Sequence, residues 1–288
     1  DRIDGGNGND TFEVIHTGLA TIPSAANLTS IERVLLKDTV HQTLDFSSLT
    51  SITEIELESG TTVDGATITT TLGANQTLML DSITDGDTAA SSLADGGFKI
   101  AQANSVTSLS LTLDDIGPAS ANTNTNVFID IAGTGVSTAN VISTNSNFIV
   151  LENSGGALTT LNLTGSGDLG IQGTLANSIT TINGTNSSAN LTITSGTGDD
   201  TITGGSGNDS ITLTGGTNNV DSGNGSDTIT LSTGNDTVDT GSGDDIISAA
   251  AGTNGITTQG GIDRITLTGG TNTVNTGDDG DVVNASGG

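Results

Sequence analysis

The sequence has no cysteine, no tryptophan and no tyrosine, and its only aromatic side chains are five phenylalanines in 288 residues. Without cysteine there are no disulfides and no thiol chemistry, although the redox compartment stays unread. So few aromatics rule out stacking platforms and an aromatic-anchored globular core of the size this length would allow, which points to an elongated fold with a thin core. Basic residues are also scarce. Five Lys and Arg against 33 Asp and Glu give a formal net charge of −28, so nucleic acids and anionic membranes are poor partners. No apolar run approaches the roughly 18 residues of a membrane span, so membrane insertion is not expected. The opening Asp1-Arg2-Ile3-Asp4-Gly5-Gly6 is not a charged-then-apolar leader, and any export signal is expected outside this stretch or already removed.

Glycine, by contrast, is abundant at 42 residues, and it recurs with a period. Cutting the chain every nine residues from Ser195 gives ten gap-free units ending at Asn284. Their eighth positions are all β-branched and apolar: Ile202, Ile211, Val220, Ile229, Val238, Ile247, Ile256, Ile265, Val274 and Val283. The fourth positions are glycine in nine of ten, Asp279 being the exception. Every sixth position carries a side-chain oxygen, and these split into two alternating sets: Asp209, Asp227, Asp245, Asp263 and Asp281 in one, Asp200, Asn218, Asp236, Asn254 and Asn272 in the other. The true repeat is therefore eighteen residues. Ser210 to Asn218 and Arg264 to Asn272, three such repeats apart, agree at eight of nine positions.

A β-branched residue flanked by Thr or Ser, as in Thr228-Ile229-Thr230, suits a short strand with one side chain directed inward, and the glycine-rich residues before it suit a turn. Strand, turn, strand, turn closes one flat coil of eighteen residues. Stacked coils pair in parallel about 4.8 Å apart, so that residues eighteen apart form ladders. Such stacking creates an electrostatic problem. Carboxylates repeated at that spacing repel by roughly 1 kcal/mol per pair at the dielectric of water and by more when partly buried. A divalent cation between coils reverses the sign, and an all-oxygen set of carboxylates and turn carbonyls suits Ca²⁺ better than Zn²⁺. Calcium is thus expected to be part of the fold.

Gly204-Gly205-Ser206-Gly207-Asn208-Asp209-Ser210-Ile211-Thr212 and Gly5-Gly6-Asn7-Gly8-Asn9-Asp10-Thr11-Phe12-Glu13 resemble the G-G-x-G-x-D-x-U-x nonapeptide of the RTX, or hemolysin-type, calcium-binding repeats. The resemblance implies an all-β chain: a right-handed parallel β-solenoid, with an irregular β-helix followed by an RTX calcium β-roll, exported unfolded into a calcium-rich exterior. It implies several Ca²⁺ between successive turns, held by Asp209, Asp227, Asp245, Asp263 and Asp281 on one edge and by Asp200, Asp236 and Asn218 on the other. Asp10 and Asp1 are expected to serve in the N-terminal nonapeptides, and the turns would supply carbonyls from Gly205, Gly207, Gly223, Gly225, Gly241 and Gly243. Three features depart from the pattern: Asn218, Asn254 and Asn272 weaken one edge, Ala249-Ala250-Ala251 replaces turn glycines, and Asp279-Gly280 inverts the usual order. The all-aspartate edge is expected to be continuously occupied and the other partly occupied or empty.

The boundaries follow as partial nonapeptides over 1–13, an irregular β-solenoid over 14–194 and the β-roll over 195–288. In the middle region a phrase Leu-x-x-Ile-x-x-Val/Ile-x-Leu occurs at Leu28, Ile31, Val34, Leu36 and at Leu49, Ile52, Ile55, Leu57, with a shortened form at Leu158, Leu161, Leu163. Stretches such as 119–126 read as surface loops, and 24–31 has room for one short helical turn. An irregular, Thr-rich solenoid followed by nonapeptides is similar to RTX-bearing surface-layer proteins of Gram-negative bacteria. That likeness implies a secreted, calcium-dependent structural protein of the cell surface or extracellular matrix, self-assembling into a layer or filament.

Other candidate sites are weaker. His16 and His41 lack a zinc spacing, and no Gly-x-Ser-x-Gly elbow occurs, so no enzymatic activity is expected. Glu54, Glu56 and Glu58 alternate with Ile55 and Leu57, which places all three on one exposed, solvated or cation-binding strand face. Asp85, Asp87 and Asp95, and secondarily Asp114-Asp115, are candidates for a further Ca²⁺. The pairs Thr217-Asn218, Thr253-Asn254 and Thr271-Asn272 form ranks that could order ice-like water, an alternative beside an adhesin stalk and the export module of a secreted enzyme. Position 28, eighteen residues after Asp10, is leucine, so the ladder partner of Asp10 is expected from upstream or from another copy. Both termini interrupt the nonapeptide, which is expected either of an excerpt from a much longer surface protein or of copies whose C-terminal coil stacks on the N-terminal coil of the next with calcium at the joint; end-to-end continuation, covalent or not, is the favoured expectation.

Overall fold

The sequence alternates short apolar or β-branched strands with Gly-, Asn- and Asp-rich corners, and the chain folds accordingly into stacked parallel coils. The computed structural model describes residues 3–15, 28–37, 43–58, 67–83, 97–102, 106–117 and 127–286. All regular structure among them is β-strand. Leu28–Thr29 is strand and pairs with Ile3–Asp4, which replaces the helical turn expected near there; 24–27 lie outside the described residues. The chain divides into two units, Asp1–Leu158 and Thr159–Gly288.

In the first unit, successive strands alternate between two parallel sheets. One runs from Thr11–Ile15 through Arg33–Lys37, Glu54–Glu58, Thr77–Asp81 and Ser108–Asp114 to Thr138–Thr144. The other holds Thr43–Asp45, Thr67–Leu72, Gly97–Gln102, Val127–Ile131 and Asn147–Glu152. Coil length varies. Thr11 pairs with Arg33, 22 residues on, whereas Thr77 pairs with Ser110, 33 residues on. The repeated leucine phrase marks the core: Leu28, Ile31, Val34 and Leu36, and likewise Leu49, Ile52, Ile55 and Leu57, are all buried, with Val34 over Ile55 and Leu36 over Leu57. Each phrase buries its first two residues and then two alternate apolar residues of the strand that follows. Corner carbonyls are closed from inside by buried carboxamides. Gln76 Nε2 donates to the carbonyls of Phe46 and Leu49 (3.0 Å each), and Asn147 Nδ2 donates to those of Leu113 and Thr144 (3.2 and 2.8 Å).

The second unit has the same alternation, from Thr160–Gly165 to Thr271–Asn275 in one sheet and from Leu169–Gln172 to Val282–Ala285 in the other. Its first coils are longer, Leu169 pairing with Leu191 and Thr181 with Thr201. From Thr192 opposite Ser210 onward the register is eighteen in both sheets. The eighth-position residues from Ile202 to Ile265 form the core, each at most 2 % exposed. Val274 and Val283 lie in the last described coil and are less covered.

Candidate metal centre

Eighteen-residue register places the sixth-position side chains of the second unit in two columns. In the first column Asp209, Asp227, Asp245 and Asp263 are buried, and Asp281 is half-buried. One oxygen of each carboxylate is committed to the stack: Oδ1 accepts the backbone N–H of the preceding rung. The donors are Leu191 to Asp209 (2.8 Å), Asp209 to Asp227 (2.7 Å), Asp227 to Asp245 (2.8 Å), Asp245 to Asp263 (2.9 Å) and Asp263 to Asp281 (2.9 Å). The other oxygen, Oδ2, of Asp209, Asp227, Asp245 and Asp263 is buried with no hydrogen-bond partner. Unpaired buried anionic oxygens are costly, and a continuous file of them is not a stable arrangement by itself.

Burial pushes the Asp209 carboxyl up to about 7 and those of Asp227 and Asp245 up to about 6, each next carboxylate adding to the rise. The backbone N–H each one accepts works in the opposite direction, as do the hydroxyls of Ser222 beside Asp227 and Thr240 beside Asp245. Ser222, Thr240 and Thr258, the first-position residues of this column, are fully buried, and Thr240 Oγ1 has no hydrogen-bond partner. At the first rung the first position is Gly204, where a Cβ would stand 2.2 Å from Asp209 Oδ2 and 2.4 Å from the Ser222 carbonyl. Orphaned carboxylate oxygens, hydroxyls and nearby carbonyls form an oxygen-only donor set, which fits a hard cation such as Ca²⁺.

The turn glycines make the close stacking sterically feasible. Gly207, Gly225 and Gly243 stack on one another, and a Cβ on Gly225 or Gly243 would fall 2.0 or 1.9 Å from the carbonyl oxygen of the glycine one rung earlier. Asp279, the non-glycine fourth position, adopts the same left-handed region with φ 84°. The carbonyls of Gly205, Gly223 and Gly241 accept the N–H groups of Asn224, Ser242 and Gly260, and each carbonyl retains a second lone pair.

In the second column Asp200, Asn218, Asp236 and Asn254 are also buried. Here Oδ1 of Asn218, Asp236 and Asn254 accepts the N–H of the rung before (2.9, 3.0 and 2.9 Å). Both oxygens of Asp200 are buried without partners, and burial raises its carboxyl against the opposing effect of the Ser195 hydroxyl. The asparagines of the Thr-Asn ranks at 218 and 254 are buried, so those ranks present only their threonines outward.

A ladder at the fifth position went unread in the sequence. Asn190 Oδ1 accepts Asn208 N–H (2.6 Å), Asn208 Oδ1 accepts Ser226 N–H (2.7 Å), Ser226 Oγ accepts Asp244 N–H (3.2 Å) and Asp244 Oδ1 accepts Ile262 N–H (2.8 Å). It runs opposite to the sixth-position ladder, since here the earlier rung accepts. The signal was a polar acceptor at alternate fifth positions.

In the first unit Asp10 has a ladder partner within the chain. The coil that follows it has 22 residues, so Glu32 stands over Asp10, and Glu32 Oε2 accepts the Asp10 N–H (2.9 Å) as the aspartates of the roll do. Asp10 Oδ2 is buried without a partner. Glu54, Glu56 and Glu58 share a face as the alternation requires, but Glu56 is buried beneath Arg33, which pairs with it and with Glu54 (2.8 Å). Lys37 bridges Glu13 (3.1 Å) and Glu58 (3.3 Å). Oxygens of Glu56, Glu58 and Asp81 lie within 4.8 Å of one another, already partly neutralised by these cations. Asp114 accepts a hydrogen bond from Asn145 Nδ2 (2.5 Å). Asp1, His16, His41, Asp85, Asp87 and Asp95 lie outside the described residues.

Parallel coils with an internal file of unsatisfied carboxylates define a cation-binding β-solenoid. The family model of the RTX calcium-binding nonapeptide repeat (4 copies) matches residues 1–13, 192–220 and 221–256. Those residues thus carry RTX calcium-binding repeats, which are typical of proteins that bacteria secrete. No curated protein and no solved structure matches it.

Proposed function

We propose that the protein is a non-enzymatic, calcium-stiffened structural element of the bacterial exterior, a building block that associates with its own copies in a surface layer or extracellular filament. Calcium lies between successive rungs of the first column, bound by Asp209, Asp227, Asp245, Asp263 and Asp281, and Asp10 with Glu32 forms a related site in the first unit. The observation that carries this reading is the file of buried, partnerless Oδ2 atoms. A divalent ion supplies the missing positive charge there, while the chain orients the carboxylates by fixing every Oδ1 to a backbone N–H. The neighbouring side chains serve rung-to-rung bonding in long repeating columns, which favours a load-bearing role over a reaction site.

The test is refolding from denaturant with calcium or with excess EGTA, followed by circular dichroism and negative-stain electron microscopy. The strand signal of the regular coils and ordered assemblies are expected only with calcium. Identical spectra and melting points in EGTA would overturn the calcium reading, and calcium-folded chains that stay single particles would overturn the assembly reading.

A further inference from the structure

We infer that the second column of the roll closes without calcium at Asn218, Asp236, Asn254 and Asn272, the carboxamide nitrogens taking the place of the cation. This rests on the calcium reading of the first column and sets a limit to it. Asn218 Nδ2 donates to the Gly215 carbonyl in its own turn (2.9 Å) and to Asp236 Oδ1 on the next rung (2.8 Å). Asn254 Nδ2 does the same to the Ala251 carbonyl (2.9 Å) and Asn272 Oδ1 (2.8 Å), and Asn272 Nδ2 reaches the Gly269 carbonyl (3.1 Å). An ion between rungs would bridge those two kinds of oxygen, a turn carbonyl and the side chain of the next rung. An amide NH₂ bridges them with its two protons.

Asp236 is accordingly satisfied where its counterparts are not. Its Oδ1 accepts from Asn218 N and Nδ2, and its Oδ2 lies 3.4 Å from the Ser232 hydroxyl. The first-position residues separate the two columns in the same way. In the nonapeptides of Asp227, Asp245 and Asp263 the first position is Ser222, Thr240 or Thr258, and in that of Asp209 it is Gly204, whereas the second column has buried Leu213, Leu231, Ala249 and Leu267. An apolar neighbour offers no oxygen and makes a bare ion more costly. Asp200 fits this rule from the other side: it has Ser195 at the first position and both its oxygens are open. The second column therefore keeps one open carboxylate, at its first rung. Gln76 and Asn147 close corner carbonyls of the first unit by the same device.

The test counts calcium bound to the folded full chain after equilibrium dialysis, in the wild type and in the single variants Asp236→Asn and Asp227→Asn. Asp227→Asn is expected to lose the ions on either side of it, and Asp236→Asn to bind as many as the wild type. Equal losses in both variants would overturn the inference. If either variant fails to fold, hydrogen exchange of the Asn218 and Asn254 side-chain amides in the calcium-loaded wild type decides the matter. Slow exchange is expected, and exchange as fast as in a free carboxamide would overturn the inference. A wild type that binds no calcium would overturn the reading of the first column, and the contrast between the columns with it.

Discussion

The first unit stacks unlike coils, and the second stacks nearly identical ones. In the first unit, Lys37 sits opposite Glu58, and Arg33 sits opposite Glu54, so charges of opposite sign meet across the rungs. In the second unit, strict eighteen-residue register puts Asp over Asp at every step of the first column. Irregular sequence can supply its own counter-charges, whereas a perfect repeat superimposes each charge on its copy and needs a counter-ion from solution. The cores differ to match. The first unit buries Phe46, Phe98 and several leucines, while the regular coils bury mainly one β-branched residue per strand. Less of the roll's stability can come from apolar burial.

Calcium removal breaks this comparison most sharply. In excess EGTA at neutral pH, hydrogen exchange is expected to become fast in strands such as Thr228–Thr230 and Ile246–Ala249, while Glu54–Glu58 and Ser108–Asp114 stay protected; equal loss in both units would refute the contrast. Acid should partly replace calcium. Asp209, Asp227 and Asp245 are raised to about 7, 6 and 6 from an ordinary 3.8. A carboxyl raised in the folded state binds its proton more tightly there than in the unfolded chain, so this contribution is fully present below about pH 4 and is lost as pH rises through 6 to 7. The calcium-free chain is therefore expected to gain strand signal on acidification from pH 7.5 to 5, and calcium affinity to fall over the same interval because protons compete for Oδ2. A calcium-free signal that falls on acidification would contradict the burial of these groups.

A smaller effect separates close stacking from mere turn conformation. Gly243 has φ 136°, and an added Cβ would meet the Gly225 carbonyl at 1.9 Å. Gly6 has φ 89° with nothing within 4 Å of that position. Gly6→Ala should cost only the left-handed conformation, about 1–2 kcal/mol. Gly243→Ala adds a backbone clash and should exceed about 4 kcal/mol or force two rungs apart. Thermal unfolding in calcium checks the pair, and similar shifts for both would mean that the rungs are more loosely stacked than the register implies.

Where the period was strict, the sequence could be read almost directly: once Ile211 and Ile229 are known to stack, the position of Asp209 under Asp227 follows. The leucine phrase was equally legible, because both of its copies bury the same four positions. Coil lengths in the first unit were not. Loops between strands vary without altering the strand pattern, so an assumed step of eighteen missed Glu32 as the partner of Asp10. Alternation placed Glu56 outward but could not show that Arg33 would cover it. The contrast between Ser222, Thr240 and Thr258 in one column and Leu213, Leu231 and Leu267 in the other stands in plain text. It acquires meaning only when the first and sixth positions of one nonapeptide are seen to share a turn.

The smallest effect concerns the fifth-position ladder, which joins the same rungs as the first column but lies at the surface. Asn208 Oδ1 holds the N–H of Ser226 at 2.7 Å, and both residues are exposed. Asn208→Ala frees an N–H that water can satisfy, so the expected cost is about 1 kcal/mol in calcium. Asn208→Asp keeps the acceptor, as Asp244 does for Ile262, and should cost less in calcium than in EGTA, where the added charge beside Asp209 is uncompensated. Melting temperatures of the two variants with and without calcium test this ranking. If Asn208→Ala were as damaging as Gly243→Ala, rung register would depend on surface hydrogen bonds, and the buried carboxylates would lose their place as the feature that distinguishes the roll from the irregular coils.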